Sequence, residues 1–183
     1  AAIPCAAAGR IVTFGIRPNR AETGYGWLEL SDRPDDLFSP QPQPLKSFVE
    51  KPDLPTAEAL LSSGMHLWNA GIFLFSTTTI LQAFALHAPE ILANAKAAIG
   101  NAERDLNFTR LSPIDWLRLE NISIDYAVME RADNLSVVPY GGDWSDLGDW
   151  QAVWREGLAD VDGNVARGTA TAIECHDTLL HAT

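Results

Sequence analysis

A carboxylate and an ammonium group stand side by side at Glu50 and Lys51, at the end of a predicted strand. Neighbouring side chains of a strand point to opposite faces, so both can meet one ligand only where the strand ends. Pro52 follows directly and supplies that end. A carboxylate accepts hydrogen bonds from a pair of sugar hydroxyls, and a lysine is a mobile point charge suited to phosphate. The pair therefore predicts a sugar-phosphate site, and the alternative is an ordinary solvated strand edge.

The charge balance of the chain restricts what such a site can serve. The 183 residues include 13 basic and 24 acidic side chains, for a formal net charge of −11, and 46% of them are hydrophobic. This composition predicts a globular protein and argues against nucleic acid or an anionic membrane as the main partner. Lysine occurs only at positions 46, 51 and 96, so two of the three lysines lie in or next to the predicted strand end. A positive charge that could bind an anion is therefore expected near the end of this strand.

Cysteine usage and hydropathy predict a cytoplasmic protein without membrane segments. Cys5 and Cys175 lie far apart, with neither metal-site spacing nor a disulfide framework, as expected in a reducing compartment. No apolar run reaches the length of a membrane span, and no signal-peptide pattern is present. The chain begins at Ala1 without a methionine and stops at Thr183 after a strand-like run, so we expect a piece of a longer protein.

The first third of the chain is predicted to consist of strands that lead to the Glu50–Lys51 pair. Residues 10–16 and 25–30 have strand composition and are expected to form an antiparallel pair. Four prolines make residues 32–44 an exposed connection, which leads into the strand that ends before Pro52.

Two glycines, Gly24 and Gly26, bracket Tyr25 at the start of the second strand. Glycine lets a backbone approach a ligand closely, and the tyrosine between them would flank that ligand. A turn followed by the first residue of a strand explains the same two glycines equally well.

The middle of the chain alternates helices with a strand. Residues 53–63 predict a helix that Asp53 caps and Gly64 ends. Residues 68–75 form an almost continuous apolar run, which is typical of a strand buried on both faces. Asn69 is the polar exception at its start.

Four further helices are predicted from their first residues. Thr77 and Pro89 open two helices, and Ser112 begins a near-capping box for a short one. Ser123 is expected to cap a helix over residues 123–130, and Asp125 in its first turn is explained by the helix dipole.

A loop dense in glycine, tryptophan and carboxylate occupies residues 141–150, after a predicted strand at 135–140. Open α/β sheets place ligands at the carboxyl ends of their strands, so this loop is a second candidate site. Residues 148–156 predict a closing helix, a domain boundary is expected near residue 160, and residues 165–180 alternate as strands do. Alternating strands and helices imply an α/β domain over residues 1–160 with a partly parallel sheet, followed by the start of a β-structured region over 161–183.

Taken in order, four segments of the chain resemble one enzyme family: Gly24-Tyr25-Gly26, residues 48–52, residues 68–75, and residues 123–130 followed by 144–150. This order resembles the sugar-nucleotide pyrophosphorylases, and most closely the bacterial mannose-1-phosphate guanylyltransferases. The resemblance covers nearly the whole chain and implies a Rossmann-like nucleotidyltransferase domain with a mixed sheet, of which this is the sugar-binding part.

The resemblance assigns roles to single residues. It implies that Glu50 binds the sugar hydroxyls, that Lys51 binds the sugar phosphate, and that Asn69 and the Gly24-Tyr25 backbone complete the sugar pocket. It makes Asp146 a magnesium ligand, which suits a metal that uses one or two carboxylates with phosphate oxygens. Catalysis would then depend on Lys51 and Asp146.

Asp143 and Asp149 compete with Asp146 on composition alone. We expect Asp146 to lie in an open cleft beside Glu50 and Lys51.

The implied reaction joins GTP and mannose 1-phosphate to give GDP-mannose and pyrophosphate. The family's glycine-rich loop, which holds the nucleotide, and its second magnesium carboxylate do not occur in the sequence, so the chain alone is expected to be inactive. Two alternatives stay open: another nucleotide-sugar pyrophosphorylase that uses glucose 1-phosphate and a different nucleotide, and a non-catalytic paralogue that keeps the sugar pocket. A homo-oligomer is compatible with either.

Overall fold

The computed structural model describes residues 1–32 and 40–182, and the central part of the predicted connection at 32–44 lies outside the described residues. The chain divides into two compact units, Ala1–Gly141 and Gly142–Thr183. The domain boundary predicted near residue 160 stays a prediction.

The described residues contain nine strands, six α-helices and one π-helical turn, Asp125–Met129. The strands are β1 (Ile11–Ile16), β2 (Gly26–Leu30), β3 (Gln43–Glu50), β4 (His66–Leu74), β5 (Glu103–Asp105), β6 (Phe108–Arg110), β7 (Leu135–Tyr140), β8 (Val165–Arg167) and β9 (Leu179–His181). The helices are α1 (Ala2–Ala7), α2 (Leu54–Ser63), α3 (Thr77–His87), α4 (Pro89–Gly100), α5 (Pro113–Trp116) and α6 (Trp150–Arg155).

Five strands of the first unit form one mixed sheet in the order β1-β4-β2-β3-β7, in which β7 closes back onto β1. Among the described pairings of this sheet, β1–β7 is parallel and the other four are antiparallel. The mixed α/β architecture expected from the sequence is therefore confirmed. The predicted antiparallel pairing of β1 with β2 is wrong, because β4 lies between them and pairs with both.

Local capping rules account for the helix that follows β3. The Asp53 side chain accepts a hydrogen bond from the Thr56 backbone N–H at 3.0 Å, and Gly64 ends the helix in a left-handed conformation with φ 65°. Both were predicted. For α3 the cap is Ser76 rather than Thr77, since the Ser76 hydroxyl accepts from the Thr79 N–H.

Strand β4 departs from its prediction as a strand buried on both faces. Its first half is buried, from Leu67 to Asn69, but Gly71 and Ile72 are exposed. Gly71 has a φ of 70°, and the register of β4 against β1 shifts nearby. This irregularity exposes Gly71 and Ile72, while Phe73 and Leu74 pack against the hydrophobic clusters again. An apolar run does not reveal such a break.

Within the segment predicted as a helix over residues 123–130, Asp125–Met129 form a π-helical turn. The Ser123 hydroxyl does accept a hydrogen bond from the Tyr126 N–H, at 3.4 Å. The turn buries Ala127, Val128 and Met129 in the core of the first unit. That core also contains the inward residues of the sheet and of α3: Ile11, Leu28, Leu30, Phe48, Leu67, Ile80, Ala83, Leu135 and Val137.

In the second unit, α6 begins at Trp150, two residues after its predicted start. The alternating pattern over 165–180 gives only the short parallel pair β8–β9. Gly168, Glu174 and Asp177 have positive φ values and interrupt any longer strand between them. No helix in the described part of the chain combines the length and the apolar character needed to cross a membrane.

Candidate functional site

The end of β3 brings the predicted pair of charged residues together. Lys51 follows the last strand residue with a φ of 46°, in the left-handed region that non-glycine residues seldom adopt. Its backbone N–H donates to the Tyr25 carbonyl at 3.2 Å, which fixes the turn. Its Nζ lies 3.6 Å from Glu50 Oε1. Backbone strain of this kind concentrates at functional sites. Here it brings together two side chains that a regular strand would point to opposite faces.

Glu50, Gly26 and Asn69 lie side by side on three neighbouring strands. The β2–β3 register pairs Gly26 with Glu50, and the pairing of Trp27 with Trp68 places Asn69 opposite Gly26 on the other side. A Cβ built on Gly26 would lie 2.7 Å from Glu50 Oε2 and 3.2 Å from Asn69 Cβ. The missing side chain of Gly26 therefore makes the space into which the Glu50 carboxylate folds.

We expect Gly26→Ala to displace the Glu50 side chain. The new methyl group would overlap Glu50 Oε2 and would lie 3.0 Å from the Phe48 ring. Overpacking of this kind destabilises by about 1–3 kcal/mol, which thermal unfolding can measure. A matched control is Gly100→Ala at the end of α4, where a Cβ meets nothing within 4 Å. Equal melting temperatures for the two variants would contradict the close packing at Gly26.

Asn69 is buried and held in one orientation. It is 7% exposed, and its Oδ1 accepts hydrogen bonds from Thr13 Oγ1 at 2.7 Å and from the Gly71 N–H at 3.2 Å. The oxygen is thus used by the fold, and no hydrogen bond from the Nδ2 group occurs among the described residues. An amide N–H₂ next to a carboxylate offers a donor beside acceptors, which is the combination that a sugar hydroxyl needs.

Aromatic stacking anchors the loop before β2. The Tyr25 ring meets Trp68 edge to face at 5.4 Å between centroids, and the Arg20 guanidinium lies 4.7 Å from the centre of the Trp68 ring. The Gly24 N–H donates to Glu22 Oε1 at 3.0 Å. The Tyr25 carbonyl therefore contacts the backbone of Lys51, whereas the Gly24 N–H donates to Glu22 within the loop.

Two acidic residues that sequence reasoning did not select act on this site. Burial is the largest cause that raises the pKa of Glu50. The nearby carboxylates of Asp125 and Glu130 raise this pKa further, and the ammonium group of Lys51 lowers it. Burial also raises the pKa of Asp125. The Glu50 N–H donates to Glu130 Oε1 at 2.8 Å. The helix-dipole explanation of Asp125 is therefore incomplete, because its carboxyl group belongs to the electrostatics of Glu50 and Lys51.

Asp146 belongs to the second unit, and its proposed closeness to Glu50 and Lys51 stays a prediction. Its side chain is exposed, and its Oδ1 accepts from the Gly148 N–H at 3.0 Å. Its competitor Asp149 caps α6 by accepting from the Ala152 N–H at 2.6 Å, so the fold accounts for that carboxylate.

Magnesium uses hard oxygen ligands, commonly one or two carboxylates together with phosphate oxygens and water. An exposed aspartate such as Asp146 fits that requirement as a single ligand. Within residues 1–32 and 40–182, no group of three or more His, Cys, Asp or Glu side chains is arranged to hold a metal ion. A magnesium ion at Asp146 would therefore need further ligands besides the carboxylates that these residues provide.

Comparison with known proteins adds to this geometry. The family model described as nucleotidyl transferase matches residues 1–162. The chain is 41% identical to a mannose-1-phosphate guanylyltransferase of Sinorhizobium fredii over 96% of its own length, and 38% identical to one of Escherichia coli K12 over 99%.

Among solved structures, the chain is similar to one from Thermus thermophilus described as mannose-1-phosphate geranyltransferase. The TM-score is 0.73 at 31% identity, over 91% of this chain and 46% of that one. The chain spans 33% and 38% of the length of the two curated relatives.

Proposed function

Since the chain belongs to the nucleotidyl transferase family, we propose that it contributes the sugar-phosphate site for guanylyl transfer from GTP to mannose 1-phosphate, giving GDP-mannose and pyrophosphate. The proposal makes the chain the sugar-binding part of a Rossmann-like nucleotidyltransferase domain. The observation that carries it is the strained turn at Lys51, which sets an ammonium group 3.6 Å from the Glu50 carboxylate. The names of the relatives supply the substrate pair.

In this proposal, Glu50 and Asn69 bind the hydroxyls of the mannose. The Glu50 side chain is 9% exposed, and Asn69 is also buried, so both offer hydrogen bonds with little competition from water. The Gly24-Tyr25 backbone contributes through carbonyl groups, since the Gly24 N–H donates to Glu22. A mixed set of acceptors and one amide donor distinguishes sugars by the directions of their hydroxyls.

Lys51 serves the phosphate. Its side chain is 57% exposed, so an incoming phosphate can replace Glu50 as its partner. A phosphate monoester has a second pKa of about 6 and is mostly dianionic at neutral pH, so its oxygen needs no general base to attack the α-phosphorus of GTP as pyrophosphate leaves. The protein must hold the two anions in line and screen their repulsion. Lys51 does both for the sugar phosphate.

Asp146 would hold the magnesium ion. When bound, magnesium neutralises charge on the nucleotide phosphates. The carboxylate of Asp146 would be one of its ligands.

Binding of mannose 1-phosphate to the chain and to Glu50→Gln tests the proposal. Isothermal titration should show binding to the wild-type chain, with mannose 1-phosphate bound more tightly than glucose 1-phosphate. The glutamine variant should lose much of that preference, because its amide replaces one acceptor oxygen with a donor. No binding by the wild-type chain would contradict the proposed function. Undiminished discrimination by the variant would remove Glu50 from the sugar pocket.

The same variant has a predicted effect on stability. A carboxyl group whose pKa is raised above its ordinary value of 4.5 stabilises the fold while it is protonated, and this contribution is lost as the pH rises through the folded-state pKa. Glutamine is neutral at every pH. We therefore expect Glu50→Gln to melt at least as high as wild type at pH 7, with a smaller difference at pH 4. A variant that is less stable only at pH 7 would contradict the raised pKa.

A further inference from the structure

The backbone N–H of Glu50 donates to a side chain, whereas in a regular sheet it would donate to a carbonyl of a neighbouring strand. Lys51 donates its N–H to Tyr25 on the β2 side, so the preceding N–H, that of Glu50, points away from β2. The next strand in the sheet, β7, pairs with β3 only at Gln43 and Pro44. Among the described residues, the end of β3 therefore has no strand on that side. Glu130 Oε1 accepts the Glu50 N–H there at 2.8 Å.

The π-helical turn determines where Glu130 points. The Glu130 N–H donates to the Asp125 carbonyl at 2.9 Å, which is the i→i+5 bond of a π turn. This winding sets residues 125 and 130 one above the other, whereas α-helical winding would separate them by about 140° around the axis. The buried side chains of Ala127, Val128 and Met129 fix the other face of the turn in the core. Both carboxyl groups of the turn consequently act on Glu50.

We propose that Glu130 is a positioning residue for the sugar-phosphate site: its carboxylate holds the end of β3, and thereby the left-handed turn that aims the Lys51 ammonium group. The inference rests on the proposed function for the identity of the ligand. A left-handed lysine persists only where its surroundings over-determine the backbone. Here the two bonds on either side of the strand end, Lys51 N–H to Tyr25 and Glu50 N–H to Glu130, supply that constraint.

Positioning and charge predict opposite effects at Glu130. A carboxylate near a bound phosphate repels it, so a residue that acted only through its charge would weaken binding, and its removal would tighten binding. A residue that holds the turn would strengthen binding, and its removal would weaken it. Glutamine separates the two roles, because its side-chain oxygen accepts the same hydrogen bond without the charge.

The experiment compares Glu130→Ala and Glu130→Gln with wild type in the 183-residue chain. Titration with mannose 1-phosphate should give about a tenfold higher Kd for the alanine variant, the loss expected for one hydrogen bond to a charged group. The glutamine variant should lie within about threefold of wild type, or bind slightly more tightly. Amide hydrogen exchange at Glu50 should be faster in the alanine variant and restored in the glutamine variant.

Glu103→Ala serves as the matched control, since Glu103 is an exposed carboxylate of the β5–β6 hairpin in the same unit. Its Kd and its Glu50 exchange should equal those of wild type. Tighter binding by Glu130→Ala, unchanged binding by it, or an equal loss in both Glu130 variants would each overturn the inference. If the wild-type chain does not bind mannose 1-phosphate, the proposed function fails. Separately, an unchanged rate of amide hydrogen exchange at Glu50 in the alanine variant would show that Glu130 does not constrain the end of β3.

Discussion

Lys51→Ala is expected to weaken binding of mannose 1-phosphate by about tenfold to a hundredfold, which corresponds to about 1.5–3 kcal/mol for one charge-assisted hydrogen bond. The ammonium group is exposed and has only Glu50 as an ion-pair partner among the described residues, at 3.6 Å. It is therefore available to a phosphate. Titration measures the Kd in the chain, and kcat/KM in the full-length gene product reports the same loss in turnover.

The backbone at Lys51 needs its own control, because its φ of 46° disfavours alanine as well as lysine. Lys51→Gly removes the charge and also relieves the Cβ clash, so it should be as stable as wild type or more stable by up to about 1 kcal/mol. Equal loss of binding in the alanine and glycine variants assigns the effect to the ammonium group. Recovery of binding in the glycine variant would instead assign it to the turn.

Arginine at the same position tests the geometry of the charge. Lys51→Arg restores the positive charge but replaces a compact ammonium with a planar fork. We expect partial recovery of binding relative to Lys51→Ala. An affinity for mannose 1-phosphate that is unchanged in the alanine variant would remove Lys51 from the site.

Asp146→Asn should reduce turnover of the full-length gene product by about a hundredfold or more, since a metal-held charge in the transition state contributes several kcal/mol. The melting temperature should hardly change. Asparagine keeps the side-chain oxygen that accepts the Gly148 N–H, so the local turn can persist. A loss of kcat without a loss of stability is the pattern of a group needed in the transition state and not in the fold.

Two matched variants define the Asp146 experiment. Asp143→Asn changes a neighbouring exposed carboxylate of the same loop, and Asp149→Asn keeps the helix cap through its amide oxygen. Both should retain most of the magnesium-dependent activity. Near-normal activity in Asp146→Asn, together with a large loss in either control, would transfer the metal-binding role to that control residue.

Interactions between residues that are close in sequence determine several elements of this structure. The end of β3 before Pro52, the capping of α2 by Asp53 and Gly64, and the strand at β7 all follow from the chemistry of residues that are close in sequence. The choice of Glu50 and Lys51 likewise needed only the types of the two residues and the proline after them. What the strand rules could not supply is how the two side chains meet, because that depends on a left-handed φ at a lysine.

Only the tertiary structure decided which residues surround that pair. Asn69 and Glu50 become neighbours because β2 lies between β3 and β4, and strand order depends on long-range pairing that local patterns do not encode. Glu130 reaches Glu50 because core packing of Val128 and its neighbours selects a π turn over the α-helix that the same residues suggest. Local sequence determined the charged groups, and the register and winding imposed by packing determined what those groups contact.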